Sequence, residues 1–126
     1  MTDKTRFLRL ESIIAYMQTE MDGDEIFLKY KGEKIAPREG KFLKLTKDPV
    51  PLNIEIAVDE KDPWVELELW DYDRLSPNDR LGKFKFLVDE VSDGFTTELA
   101  PDKNEVARYV LNWSVVERKT SSPAPQ

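Results

Sequence analysis

Along most of this chain, apolar residues recur at every second position rather than at the three-and-four spacing of a helix. Leu52, Ile54, Ile56 and Val58 alternate with Asn53, Glu55 and Ala57, and Val65, Leu67 and Leu69 alternate with Glu66, Glu68 and Trp70. Such alternation predicts strands with one buried and one wet face. By the same rule Tyr109, Leu111, Trp113 and Val115 share one face of a last strand over 107–116. Shorter apolar runs predict strands at 26–30, 34–36, 41–45, 82–87 and 96–99. Between them lie turn formers such as Lys31-Gly32-Glu33, Asp48-Pro49-Val50-Pro51 and Ser92-Asp93-Gly94.

Residues 6–19 are less regular. Phe7 is out of phase with Leu8 and Leu10, and Ile13 with Ile14 and Tyr16, which predicts a bulge or kink in one long strand. Leu10, Ile13, Ile14 and Met17 also fit helical spacing, so a helix stays open there. Residues 88–91 read as a single helical turn. About eight short strands with frequent turns and no internal repeat predict an all-β fold, an antiparallel eight-stranded β-sandwich. The domain is set at 1–117. Residues 118–126, ending Thr120-Ser121-Ser122-Pro123-Ala124-Pro125-Gln126, read as a short disordered C-terminal tail.

Composition narrows the chemistry. The 126 residues suffice for one domain with a real core. Cysteine and histidine are both absent. That removes disulfides, thiolate metal sites, ordinary zinc sites and the Ser-His-Asp and Cys-His forms of catalysis. No leader and no apolar run of about 18 residues stands out, so neither a secretory signal nor a transmembrane segment is expected. The net charge of −6 argues against nucleic-acid binding, although Tyr30, Phe42 and nearby lysines would suit an oligonucleotide-binding barrel. The charge is uneven. Between Lys29 and Lys47 seven bases stand against two acids, Glu33 and Glu39, while the rest of the chain is strongly acidic.

The most informative stretch runs from Glu68 to Phe84. A strand ends at Trp70, the nine residues 71–79 carry Asp71, Asp73 and Asp79, and the chain enters a new strand at Leu81-Gly82-Lys83-Phe84. Three acids on one short loop repel one another unless something positive lies between them. A hard cation such as Ca²⁺ takes about 6–8 oxygen ligands, carboxylates among them. The stretch is either part of a metal cage or a solvated acidic turn held by Asx hydrogen bonds. It is not an EF-hand. Counted from Asp71, the sixth position is Ser76 where glycine is needed, and the twelfth is Gly82 where glutamate is needed.

Trp70-Asp71-Tyr72-Asp73-Arg74-Leu75-Ser76-Pro77-Asn78-Asp79-Arg80-Leu81-Gly82 resembles the third calcium loop of C2 domains, with the three acids, Ser76 and Gly82 at that family's spacing. Asp24, ahead of Ile26-Phe27-Leu28-Lys29-Tyr30, resembles the aspartate that closes the family's first calcium loop. The family's earlier acid falls on Gln18, a departure for which Glu20 or Asp22 would have to substitute. The resemblance implies Ca²⁺ as the cofactor and Asp24, Asp71, Asp73 and Asp79 as ligands, with Asp22 and the Tyr72 carbonyl as further donors. It also implies a tip, Arg74 and Leu75, that meets a lipid interface, and a basic face including Lys29, Lys31, Lys41 and Lys44. For those lysines a solvated, aggregation-resistant edge is the plainer reading.

The function implied is a non-enzymatic calcium-binding module that docks on an anionic membrane surface or a protein partner. Its place would be cytoplasmic, peripheral to a membrane or within a large assembly. The alternative is a calcium-independent structural adaptor subunit, for which a bacterial multi-subunit assembly would fit. A third class is an enzyme: pairs such as Asp71 and Asp73 could in principle do acid–base work, but with no histidine, no cysteine and no apolar pocket motif.

Overall fold

The computed structural model describes residues 4–17, 23–102 and 108–119. It contains β1 (Lys4–Met17), β2 (Asp24–Tyr30), β3 (Glu33–Ala36), β4 (Leu43–Leu45), β5 (Val50–Val58), β6 (Trp64–Asp71), β7 (Asp79–Leu87), β8 (Ser92–Glu98), β9 (Ala100–Pro101) and β10 (Arg108–Lys119). No helix occurs among the described residues. One sheet has the order β5-β1-β10-β8, and the other β3-β2-β6-β7-β9 with β4 also paired to β2. Every pairing is antiparallel. The all-β sandwich is therefore as expected, with ten strands among the described residues where about eight were predicted.

The alternating pattern builds the core directly. Leu8, Leu10, Ile13, Leu111 and Val115 from one sheet face Ile26, Leu28, Leu67, Leu69, Phe84 and Phe86 from the other, and all are buried. Their removal from water is the main force holding the sheets together. Trp113 joins them, edge-on to Phe86 and stacked on Phe95, with its indole N–H donating to Thr97 Oγ1 at 2.8 Å. Trp70 stacks on Phe27 on the outer side of its sheet, and Trp64 is 58% exposed.

The irregular first segment is a strand, not a helix. Its register shifts between Leu10 and Ser12 against both β10 and β5. The bulge moves the buried set from Leu8 and Leu10 to Ile13 and Ala15, which accounts for the broken phase in the sequence.

Several boundaries differ from expectation, each for a physical reason. Residues 88–91 form no helical turn: Val88 is fully buried and its N–H donates to the Pro63 carbonyl at 2.8 Å. Ser92-Asp93-Gly94 is no free turn but the start of β8, where a bulge carries Gly94 at φ 74°. Pro51 lies inside β5, an edge strand, where its missing donor is tolerated. β10 runs on to Lys119, past the expected end of the domain, because Lys4, Thr5 and Arg6 pair with Lys119, Arg118 and Glu117. β9, expected as loop, is a two-residue strand against Gly82 and Lys83, too short to leave any periodicity.

Candidate functional site

Strand pairing carries four of the predicted acids to one end of the second sheet. Asp71, the last residue of β6, lies opposite Ile26 of β2 on one side and opposite Asp79, the first residue of β7, on the other. Residues directly opposed across a ladder share a face, so Asp71 and Asp79 do. Asp24 is two residues before Ile26 on β2 and returns to that same face. The ladder continues one step beyond Asp71, where the Tyr72 N–H donates to the Glu25 carbonyl at 2.9 Å, and the chain then reaches Asp73. Like charges directly opposed, as Asp71 and Asp79 are, destabilise a sheet unless offset.

The loop between β6 and β7 is shaped by Asp73. One of its carboxylate oxygens accepts the N–H of Leu75 at 2.8 Å and of Ser76 at 3.3 Å, and the other accepts the Ser76 hydroxyl at 2.5 Å. Its own N–H donates to Asn78 Oδ1 at 2.9 Å. The Ser76 hydroxyl, followed by the Leu75 N–H, holds the Asp73 carboxyl below its ordinary pKa. Asp73 and Asn78 thus hold this part of the loop by Asx-type hydrogen bonds. It also leaves Leu75 at the loop tip 98% exposed, with Arg74 beside it.

Gly82 closes the loop on the far side. A Cβ there would lie 2.3 Å from the Ala100 carbonyl oxygen, so only glycine allows β9 to approach. Arg80 then ties β6, β7 and the residue after β9 together, donating to Glu68 at 3.1 Å and to Asp102 at 2.7 Å.

Asp24 is held differently. It is 2% exposed, and the Tyr109 hydroxyl of β10 donates to its Oδ2 at 2.6 Å across the sandwich. Tyr109 was legible as a residue on the buried face of the last strand, and a buried phenol needs a partner. That its partner lies 85 residues away was not legible. Asp22 lies outside the described residues.

Among the described residues, no three acidic side chains stand close enough together to hold a metal. Asp24, Asp71, Asp73 and Asp79 are of the kind a hard cation takes, carboxylates at one end of one sheet, but they are not gathered as a cation would hold them. In orientation, Asp73 and Asp24 are turned to Ser76 and Tyr109.

The predicted basic residues do not form one patch. Lys44 lies opposite Glu25, and Lys29 lies between Lys34 and Glu68, so acids interrupt the lysines across that sheet. Lys29 covers the Trp70 ring at 4.4 Å, and Lys31 covers Tyr30 at 5.3 Å. Lys41 shares a shallow cleft with Phe42, Tyr72, Asp73 and Arg74 at the acidic end, where the Phe42 and Tyr72 rings stack at 5.2 Å. A larger hollow, about 840 Å³ and bordered by Tyr30, Trp64, Glu66 and Lys85, lies elsewhere on the molecule.

No protein-family model matches the sequence, and no curated protein sequence matches it. Solved structures do. A C2 domain of plant extended synaptotagmin 1 superposes with a TM-score of 0.61 at 14% identity, over 97% of this chain and 99% of that one. A second structure, described as a C2 domain, gives 0.52 at 12% identity over 91% and 98%. Human GIVD cytosolic phospholipase A2, in complex with an inhibitor and terbium chloride, gives 0.51 at 16% identity over 96% of this chain but 18% of that one. The chain has the C2 fold over nearly its whole length. At these identities the likeness concerns the fold alone, and nothing in it points to catalysis.

Proposed function

We propose that this chain is a non-enzymatic C2-type module that takes up Ca²⁺ between Asp24, Asp71, Asp73 and Asp79. It then docks through that end on an anionic lipid surface or a protein. The observation that carries the reading is the register, with Asp71 paired to Ile26 on one side and to Asp79 on the other, and Asp24 on the same face. A bound Ca²⁺ would supply the positive charge that relieves repulsion among these carboxylates. For that, Asp73 exchanges its bonds to Ser76 and Leu75 for the cation. Arg74 and Leu75, exposed at the loop tip, are the contact residues for the docking surface, with Lys41 beside them. Lys29, Lys31 and Lys44 take the second, more diffuse role of lending positive charge to the adjoining face. Asp22 is retained as a further donor on its position in the sequence. The module works at the periphery of a membrane or within a cytoplasmic assembly. Among the described residues no helix is long and apolar enough to cross a membrane.

The second reading, a calcium-independent structural adaptor, is favoured by one fact: Asp24 and Asp73 already have partners of their own. Thermal unfolding in chelator, Mg²⁺ and Ca²⁺ separates the two. With Ca²⁺ at about a hundred times its Kd, the wild type gains about 2.7 kcal/mol of stability. Asp73→Asn loses most of that gain while unfolding normally in chelator. A wild type indifferent to Ca²⁺ leaves the adaptor. Pelleting with phosphatidylserine vesicles, with and without Ca²⁺, then distinguishes a lipid surface from a protein.

A further inference from the structure

The second sheet lacks a strand beside the start of β6. β6 pairs with β7 from Trp64 to Asp71, but with β2 only from Glu68 onward. β2 ends at Tyr30, and the chain turns away through Lys31 and Gly32, both at positive φ. The ladder fixes where the free groups point. The Tyr72 N–H donates to Glu25 of β2, and the Pro63 carbonyl accepts from Val88 beyond β7. Backbone bonding alternates along a strand, so even-numbered residues of β6 bond towards β2 and odd-numbered ones towards β7. The N–H and carbonyl groups of Trp64 and Glu66 therefore point to the side where β2 is missing. Among the described residues nothing is bonded to them. The hollow of about 840 Å³ lies along this edge. It is lined by the buried Val58 and Val65, the half-buried Tyr30, and the exposed Trp64, Asp59 and Asp62.

An open edge beside a partly apolar hollow is the arrangement that takes an extended segment as an added strand. Backbone bonds then supply affinity, and alternate side chains supply specificity. The charges decide what kind of segment fits. Lys83 and Lys85 both reach Glu66, Arg80 holds Glu68, and Lys31 lies over Tyr30. Asp59 accepts the Lys61 N–H within its own turn, and neither Asp59 nor Asp62 has an ion pair among the described residues. Trp64, 58% exposed on the same hollow, is an aromatic on which a cation can stack. We infer that this edge receives an extended segment of a protein partner in which apolar residues alternate with Lys or Arg. Added antiparallel, it bonds to the backbone of Trp64 and Glu66, turns its apolar side chains towards Val58 and Val65, and brings its cations to Trp64 and Asp62. A second copy of the same edge would instead set these acids against their own kind. The surface lies at the opposite end of β6 from Asp71 and does not rest on the calcium reading.

Titrating the full chain, in chelator and at physiological salt, with capped peptides of alternating valine and lysine tests this by amide-resolved NMR. The valine–lysine peptide should shift the amides of Trp64 and Glu66 and the Trp64 indole, and a valine–glutamate peptide should not. In an antiparallel pair the lysines stand opposite Trp64 and Glu66, so their amides carry the bonds to β6. N-methylation of the lysine amides should therefore abolish binding, whereas N-methylation of the valine amides leaves it. Trp64→Ala should weaken binding about threefold or more. Asp62→Lys, also at an exposed position, should weaken it and remove the preference for lysine over glutamate. Equal binding of the two charge types overturns the inference, as does binding that survives methylation of the lysine amides. So do shifts confined to the end that holds Asp71 and Asp79, or no shifts at millimolar peptide. A dimer seen by sedimentation and lost in Trp64→Ala would also overturn it, since the occupant would then be a second copy of this chain.

Discussion

The start of β2 and the loop between β6 and β7 present their acids at the same end of the molecule but secure them in opposite ways. Asp24 is buried and anchored by a residue from the other sheet, whereas Asp73 is exposed and anchored by its immediate neighbours. The first arrangement is a tertiary one, destroyed if the sandwich loosens. The second is local, made entirely between residues 73 and 78. A site assembled from both has one wall set by folding and one wall free to rearrange when a ligand arrives.

That contrast can be broken most forcefully at Asp24. Asp24→Ala leaves the buried Tyr109 hydroxyl without this acceptor and opens a small void, and should cost about 3 kcal/mol of stability in the absence of calcium. Asp73→Ala, at an exposed position, should lose far less. Paired denaturant titrations in chelator check this, and equal losses would show that the two regions do not differ as described. Next in size is Gly82→Ala. The new methyl meets backbone rather than a flexible side chain, so β9 must move away from β7, at a cost of about 2 kcal/mol. Hydrogen exchange at Asp102, whose N–H donates to the Leu81 carbonyl, should quicken in that variant.

How much of this was legible in the sequence follows the same division. The β6–β7 loop could be read because its partners lie within five residues of one another, and Asp73, Ser76 and Asn78 have the chemistry of a turn written side by side. The long first strand was legible through its broken phase, which is what a bulge leaves behind. What could not be read depended on contacts distant in the chain. The Tyr109–Asp24 bond spans 85 residues, and β9 exists only because Gly82 lets another backbone approach. The lysines between Lys29 and Lys47 looked like a basic patch because their acidic neighbours, Glu68 among them, come from other strands. Linear charge counts miss such interleaving.

The smallest effect expected is one of pH. Asp73 has a lowered pKa in the folded state, so its contribution is complete above the ordinary carboxylate value of about 3.9 and fades as pH falls through the lowered one. Ser76→Ala removes the largest cause of that shift. The gap in unfolding temperature between wild type and Ser76→Ala, measured in chelator, should be constant from about pH 7 down to the carboxylate range and then close on further acidification. A gap that persists undiminished into strong acid would mean that Ser76 acts through something other than the ionised Asp73.

The central claim, that acids from three strands and a loop converge to share a cation, is tested most directly by a crystal structure grown in millimolar CaCl₂. The account predicts a density peak coordinated at about 2.3–2.6 Å by oxygens of Asp24, Asp71, Asp73 and Asp79. It also predicts the Ser76 hydroxyl released from Asp73. An empty end with the Asp73–Ser76 bond intact would contradict it.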